Sequence, residues 1–380
     1  MKRQCRRINV VAWLIVGADF LTMLAALMLV LPPQSREWTV LAPHVASALL
    51  MAAFGPYLLA GVNDVLGAML LVVHLGLIGL LIRRVRMFDA LGRWARTART
   101  LVFAGLGILA LLSFRAGFRV TEHHGFASEK VTGGPIRLTV ISDLHSCAHG
   151  GGRGDLVRDV AAAAPDVVLF TGDIFDDRLT DGNAQDFIKA IAGRYPCFYV
   201  SGNHEFWSGR IDEMKLWLRD AGVTVLEGAC RTLIVKGTAI DICGVDDPTY
   251  MDDAQWLRQL QCAEAQSDPA HVRVLLSHRP ERVADYGKFG FDLVVAGHAH
   301  GGQWLIPLIG RGGYSPNQGF FPKYVDGRYA LANGGVMFVS RGLARESTPL
   351  PRLFNPPEIL VVELTNGGGL QDKLQLESIR

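Results

Sequence analysis

The sequence predicts an α/β domain preceded by an all-α, multi-span membrane domain, and three observations carry that reading. Residues 1–120 of the 380 hold 13 Lys/Arg against 4 Asp/Glu, whereas the remainder holds 25 against 32. Nine of the 11 histidines lie in the acidic part. Long apolar stretches fill the first part, and short β-branched runs alternating with helical ones fill the second. Charged residues make up 19% of the chain, which together with the apolar content excludes wholesale disorder. The acidic balance of the second part argues against a nucleic-acid partner.

The apolar stretches cover 10–31, 41–62, 65–82 and 101–114. A spanning helix needs about 20 such residues, so the first three suffice. The fourth crosses only if Arg115 snorkels and the helix runs on to Phe118. Asp19 interrupts the first stretch and is expensive in lipid, so it belongs against another helix or near the interface. Basic clusters precede the first stretch (Lys2, Arg3, Arg6, Arg7) and the fourth (Arg83, Arg84, Arg86, Arg93, Arg96, Arg99). Both clusters prefer the cytoplasm, which three full crossings between them forbid. Either the N-terminus lies outside, or one stretch is re-entrant. A crossing by the fourth stretch places the α/β domain outside the cytoplasm, the side we expect. The expected divisions are a transmembrane domain at 1–118, a linker at 119–134, the α/β domain at 135–365 and a tail at 366–380.

From residue 136 the strands read in order. Run 136–142 ends at Asp143, 166–171 at Gly172-Asp173, and 197–201 at Gly202-Asn203-His204. Run 272–277 ends at His278, and 292–296 at Gly297-His298. Helices are expected at 155–164 and 184–192, a hairpin over 232–245, and further strands at 335–341 and 358–364. In such sheets ligands bind beyond the carboxyl ends of the strands. Turn chemistry accounts for Asp and Asn there. It does not account for five histidines: His145, His204, His278, His298 and His300. The six cysteines form no C-x-x-C pair, which excludes zinc-finger and thioredoxin readings, and most of those after residue 120 are expected to be buried small apolar residues.

Hydrolysis of an anionic phosphoester is helped by two divalent cations about 3.5–4 Å apart. A bridging carboxylate with imidazole and oxygen donors can hold them. The chain supplies Asp143-Leu144-His145, Gly172-Asp173, Gly202-Asn203-His204-Glu205, His278 and Gly297-His298-Ala299-His300 in that order. This series resembles the calcineurin-like metallophosphoesterase superfamily. Segments 244–248, 297–303, 339–343 and 354–359 are similar to its membrane-associated bacterial YkuE/YaeI-like branch. The resemblance covers about residues 134–365.

The resemblance implies a metallophosphoesterase sandwich, two β-sheets flanked by helices. It implies a metal-dependent phosphoric ester hydrolase in which a metal-bound hydroxide attacks phosphorus. Asp143, His145 and His300 would bind one metal; Asn203, His278 and His298 the other; Asp173 would bridge both. His204, with Asp173 and Asn203, would form the catalytic set, His204 protonating the leaving oxygen. The cofactor would be two divalent ions, manganese, iron, zinc or cobalt. The expected partners are the lipid bilayer and a phosphorylated small molecule or lipid, and the expected place a bacterial cell membrane. A pyrophosphohydrolase acting on a nucleotide–sugar–lipid intermediate is the narrower alternative. A transporter or scaffold with a regulatory or inactive phosphoesterase domain is the alternative of another class.

Arg341 and His149 are candidate substrate contacts, against a surface salt bridge and a solvated ring. Asp176 and Asp177 are expected to cap or turn. Asp246 and Asp247 are expected to orient other groups or to turn. His123-His124 are expected on the surface of the linker. Phe206, Trp207 and Trp304 adjoin the motifs and meet either a substrate's apolar part or the core.

Overall fold

The computed structural model describes residues 119–149, 154–306, 311–344, 352 and 354–367. The four apolar stretches, and the topology read from them, lie outside the described residues. Among the described residues no helix is long and apolar enough to cross a membrane.

In chain order the elements are β1 (Val120–Ala127), β2 (Ile136–Ile141), α1 (Gly154–Ala162), β3 (Val167–Thr171), α2 (Gly182–Ala192), β4 (Cys197–Val200), α3 (Asn203–Trp207), α4 (Ile211–Asp220) and β5 (Thr224–Val225). Next come β6 (Ala229–Val235), β7 (Thr238–Gly244), α5 (Asp253–Ala265), β8 (Val272–Leu276), α6 (Val283–Tyr286) and β9 (Leu293–Ala296). Two small ladders come after them, β10 (Leu305–Ile306) with β11 (Arg311–Gly312) and β12 (Tyr314–Ser315) with β13 (Gly319–Phe320). The described chain closes with β14 (Gly327–Ala330), β15 (Val336–Val339) and β16 (Glu358–Thr365).

These strands form two six-stranded sheets, ordered β1-β16-β2-β3-β4-β5 and β14-β15-β9-β8-β7-β6. Alternation decides which side chains meet between them. Ile136, Leu138 and Val140 of β2 share one apolar cluster with Val272, Val274 and Leu276 of β8. Their strand neighbours face helices. Val168 and Phe170 pack with Phe187 and Ile188 of α2 and Met214 and Leu218 of α4. Cys243, Leu275 and Val294 pack with Trp256 and Leu260 of α5. Covering on both faces is why these strands read as continuous apolar runs.

Strands β2, β3 and β4 are parallel, as are β7, β8, β9 and β15, so their carboxyl ends gather at one end of each sheet. Strand β16 runs antiparallel to β2, and β1 runs parallel to β16. Val120 therefore stands opposite Glu358, at the end of the sheet where β2 delivers Asp143.

Three expectations need correction. The segment read as a linker contains β1, whose residues are alternately half-buried and exposed; its polar sequence conceals a partner more than 200 residues away. Helix α5 was not anticipated, although its start carries a capping box: Asp252 accepts the Gln255 backbone N–H at 2.7 Å, and Gln255 accepts that of Asp252 at 3.0 Å. Cys230 and Cys243, expected as unlinked apolar residues, form a disulfide between directly paired positions of β6 and β7.

Candidate metal centre

The residues singled out at the strand ends converge, and the backbone is forced to aim them. Asp143 (φ 50°), His145 (φ 48°), Asp173 (φ 52°), His298 (φ 64°) and His300 (φ 48°) all occupy the left-handed region. Non-glycine residues pay roughly 1–3 kcal/mol each for such conformations, which persist where neighbours over-determine them. Here the loops after β2 and β3 continue to pair: the N–H groups of Asp143, His145 and Ser146 donate to the carbonyls of Gly172, Asp173 and Ile174 at 2.9–3.0 Å. Gly172 makes this possible. At φ 88° it turns the chain into Asp173, and a Cβ there would stand 2.6 Å from His278 Nδ1. Gly297 has a similar constraint, since a Cβ would collide with Ser142 Oγ and crowd Asp143 Oδ2.

The side chains form three groups, one of them made of His145, Asp176 and His204, and a carboxylate faces the other two. Asp143, His145 and His300 offer ligand atoms within 4.8 Å of one another, and so do Asp173, His278 and His298. Asp173 Oδ2 lies 3.1 Å from His278 Nε2 and 3.7 Å from His145 Nε2, so it faces both groups. Asn203, at the start of α3, is buried beside them on the same loop as His204, whose backbone N–H donates to Asp173 Oδ1 at 2.8 Å. His145 Nε2, Asp173 Oδ2 and Asn203 Oδ1 are buried without a hydrogen-bond partner. Leaving a buried polar atom unpaired costs roughly 1–3 kcal/mol. An imidazole nitrogen and a carboxylate oxygen facing one another, with an unpaired amide oxygen on the adjoining loop, are a donor set that suits a divalent cation.

Contacts behind the rings fix which nitrogen faces inward. His278 Nδ1 donates to the Thr171 carbonyl at 2.8 Å, which turns Nε2 toward Asp173. His145 Nδ1 is 3.2 Å from Asp176 Oδ2, leaving Nε2 toward Asp173. His298 Nε2 lies 2.9 Å from Asn317 Oδ1, and its Nδ1 lies 3.2 Å from His278 Nε2. Arg279 Nη1, which can only donate, lies 3.0 Å from the same Nε2, so an acceptor and a donor together hold the ring with Nδ1 toward His278. Asn317 is itself gripped by Arg279 at 2.5 Å, and Arg279 is paired with buried Asp247.

The electrostatics divide sharply across this small volume. Burial disfavours charge on His278, but the Asp173 and Asp143 carboxylates overcome it and raise its pKa to about 10. Burial, with His278 and Arg279 nearby, lowers His298 to about 3. Burial and then His145 hold His300 well below the usual histidine range. Although burial opposes it, the His278 imidazole holds Asp173 well below the usual carboxylate range. The potential thus favours positive charge at the shared carboxylate, as a cation site requires.

His204 occupies a different position. Its half-buried ring is edge-on to His145, with centroids 4.4 Å apart, and its Nδ1 lies 2.7 Å from Asp177 Oδ1. Asp177 and Asp176 therefore do more than turn the chain. Asp176 Oδ1 does accept the N–H groups of Arg178 and Leu179 at 2.8 Å, while its other oxygen orients His145.

Of the two candidate substrate contacts, Arg341 makes the ion pairs that were its alternative reading, and His149 lacks the solvated position that was its own. The Arg341 guanidinium is taken up by Glu358 (2.5 Å) and Glu122 (2.9 Å), because β1 and β16 bring both carboxylates to it. His149 is buried rather than solvated. Asp247 orients Arg279, and Asp246 accepts from Ser201 Oγ at 2.6 Å and from Lys215 Nζ at 2.9 Å.

Three supporting residues carried no role in the sequence reading: Glu205, Arg279 and Asn317. Glu205 is fully buried and accepts four backbone N–H groups, those of Asp173, Ile174, Phe175 and Gly202, at 2.7–3.0 Å and 3.1 Å for Phe175. Burial and the Asp173 carboxylate raise it to about 7, while the backbone donors pull it down. Its signal was present as a charged residue two places after Asn203 within an otherwise apolar fold. Arg279 and Asn317 gave no comparable signal, since their partners are distant in sequence.

Residues 136–302 match the family model described as calcineurin-like phosphoesterase. An uncharacterized metallophosphoesterase of Campylobacter jejuni is 28% identical over 237 residues, covering 60% of this chain and 59% of that protein. Phosphodiesterase YaeI of Escherichia coli is 27% identical over 250 residues, covering 63% of this chain and 86% of the relative. The uncharacterized metallophosphoesterase YkuE of Bacillus subtilis is 27% identical over 218 residues, covering 55% and 71%.

Proposed function

From the premise that this chain carries a domain of the calcineurin-like phosphoesterase family, and with it a metal-dependent hydrolase, we propose a membrane-anchored, two-metal phosphoesterase that cleaves phosphodiester or pyrophosphate bonds. One observation carries the two-metal reading: Asp173 Oδ2 faces His278 Nε2 at 3.1 Å and His145 Nε2 at 3.7 Å, one carboxylate between two ligand groups. Asp143, His145 and His300 would hold one ion, Asn203, His278 and His298 the other, with Asp173 between them. When bound, such ions act as Lewis acids on the phosphoryl group and lower the pKa of water.

The chain's own residues supply the rest. The Asp177 carboxylate accepts the His204 Nδ1 proton, which leaves Nε2 as the atom that carries a proton to the leaving oxygen. Glu205 holds the Asp173 loop and the Asn203 loop on a common set of backbone hydrogen bonds, so both ligand groups keep their spacing. Gly172 and Gly297 let the strand ends close on one another.

The four apolar stretches support anchoring of this domain to a bilayer. The Cys230–Cys243 disulfide supports an oxidising, extracytoplasmic compartment. A substrate held at the membrane, such as a lipid-linked phosphodiester or pyrophosphate, suits such an enzyme. The name of the YaeI relative favours the diester.

The test is hydrolysis by the purified full chain of an aryl phosphodiester, an aryl phosphomonoester and a lipid pyrophosphate, each with manganese, iron, zinc or cobalt. Metal-dependent turnover of the diester or the pyrophosphate is expected. Turnover of none, by protein that binds metal, would sink the catalytic reading. Release of the chain from membranes by alkaline carbonate would sink the anchoring.

A further inference from the structure

Seven large apolar side chains are exposed among the described residues: Trp207 (52%), Leu216, Ile234, Tyr250 (79%), Tyr314, Phe320 (75%) and Phe321. Single exposed apolar residues need no explanation. Five of these seven, however, are aromatic and sit on segments that surround the metal centre. Trp207 ends α3, its ring 4.8 Å from that of His204. Tyr250 lies beyond the loop leaving the carboxyl end of β7, its ring 6.4 Å from Phe206. Tyr314, Phe320 and Phe321 belong to the β12–β13 hairpin, where the rings of Tyr314 and Phe320 lie 5.5 Å apart. Arg279 joins the two flanks. Its guanidinium reaches Thr249 Oγ1 at 3.1 Å, one residue before Tyr250, and Asn317 Oδ1 at 2.5 Å, in the turn of the hairpin. Arg279 Nη1 also lies 3.0 Å from His298 Nε2, so these exposed aromatics stand on segments that flank the histidines of the site.

The chain also enters the domain at this end. The Val120 N–H donates to Pro357 O at 2.9 Å, and the Glu358 N–H to Gly342 O at 3.0 Å. Gly342 lies so near Asp143 that a Cβ would stand 2.6 Å from the aspartate Cβ. Five residues of sequence, 115–119, separate the last apolar stretch (101–114) from β1. Ile234, by contrast, sits toward the opposite end, opposite Ala239 near the start of β7.

We infer that the aromatic rim of Trp207, Tyr250, Tyr314, Phe320 and Phe321 is a bilayer-docking surface, which seats the metal centre on the headgroup layer to receive lipid-borne substrate. The inference rests on the anchored reading above. Trp and Tyr suit this layer because an apolar ring carries a polar atom that stays wet. The short link between the last apolar stretch and β1, five residues in sequence, favours the bilayer over a second copy of the chain, since the chain enters the domain on the side on which these aromatics lie.

The test uses the full chain with Cys5 and Cys262 changed to Ser, reconstituted in vesicles of phosphatidylethanolamine and phosphatidylglycerol at three to one. An environment-sensitive fluorophore is placed in turn at Tyr250→Cys, Phe320→Cys and Ile234→Cys, and quenched with headgroup-proximal nitroxide lipid. Quenching at 250 and 320 at least three times that at 234 is expected. Equal quenching at all three sites, with the protein retained after carbonate extraction, overturns the docking surface and leaves the anchored reading standing. Release by carbonate overturns the anchored reading, and the docking inference with it. Covering of the rim by a second copy would leave 250 and 320 unquenched, which also overturns it.

Discussion

Glu205 Oε2 accepts the backbone N–H of Asp173 at 3.0 Å, so the shared carboxylate of the metal centre hangs from a buried carboxylate two residues beyond Asn203. The same side chain takes three further backbone donors from both loops. Glu205→Gln turns one acceptor into a donor that faces N–H groups. Weakening these charge-assisted bonds costs roughly 2–4 kcal/mol. The melting temperature should fall by about 5–10 °C, and bound metal should fall with it. An unchanged melt and full metal content would show that the two loops hold each other without Glu205.

Asn317 acts on His298 from behind. Its Oδ1 is 2.9 Å from His298 Nε2 and can only accept. Asn317→Ala removes the acceptor that holds both this ring and Arg279, leaving the ring less firmly oriented. Loss of such supporting contacts typically weakens metal affinity about 10–100-fold. Competition with a chromophoric chelator measures this directly. Asn317→Asp keeps an accepting oxygen and should recover affinity to within a few-fold. If Asp and Ala behave alike, Asn317 merely fills space.

His204 and Asp173 separate chemistry from metal holding. His204→Ala should lower kcat by roughly 10²–10⁴ while metal content stays near the wild-type level, because the predicted ligand His145 beside it keeps its own hydrogen bond to Asp176. Asp173→Asn should abolish metal-dependent hydrolysis and reduce bound metal, since this carboxylate faces both groups. Stoichiometric loss of metal from His204→Ala would make His204 a ligand. Wild-type turnover by folded Asp173→Asn would refute the shared-carboxylate assignment.

The residues that could hold a metal were legible because they stand at the ends of apolar strands, where an imidazole or a carboxylate has no packing role. His278 after β8 and His298 after β9 are clear cases. The hidden features are long-range. The polar alternation of β1 means nothing until β16 pairs with it. The sequence leaves Arg341 between a substrate contact and a salt bridge, and only the pairing of β1 with β16 brings Glu122 and Glu358 to it. The Cys230–Cys243 bond needs the hairpin register, which sets those positions opposite one another. Asn317 lies in a turn whose fold is set by Arg279 and not by local periodicity.

Strand β1 adds a pH dependence of its own. Burial lowers the pKa of His124, and nearby Glu122 restores it only in part. In the unfolded chain the ring titrates at about 6.5. Below that pH the unfolded state takes up a proton that the folded state resists, so stability present above pH ~6.5 is lost as the pH falls toward the lowered folded value. His124→Phe keeps a ring against Phe338, whose centroid lies 5.2 Å away, and removes the titration. The drop in melting temperature between neutral and mildly acidic buffer should therefore be smaller in His124→Phe than in the wild type. Equal drops would mean that the edge strand stays closed over a protonated ring, with Glu122 compensating for its burial.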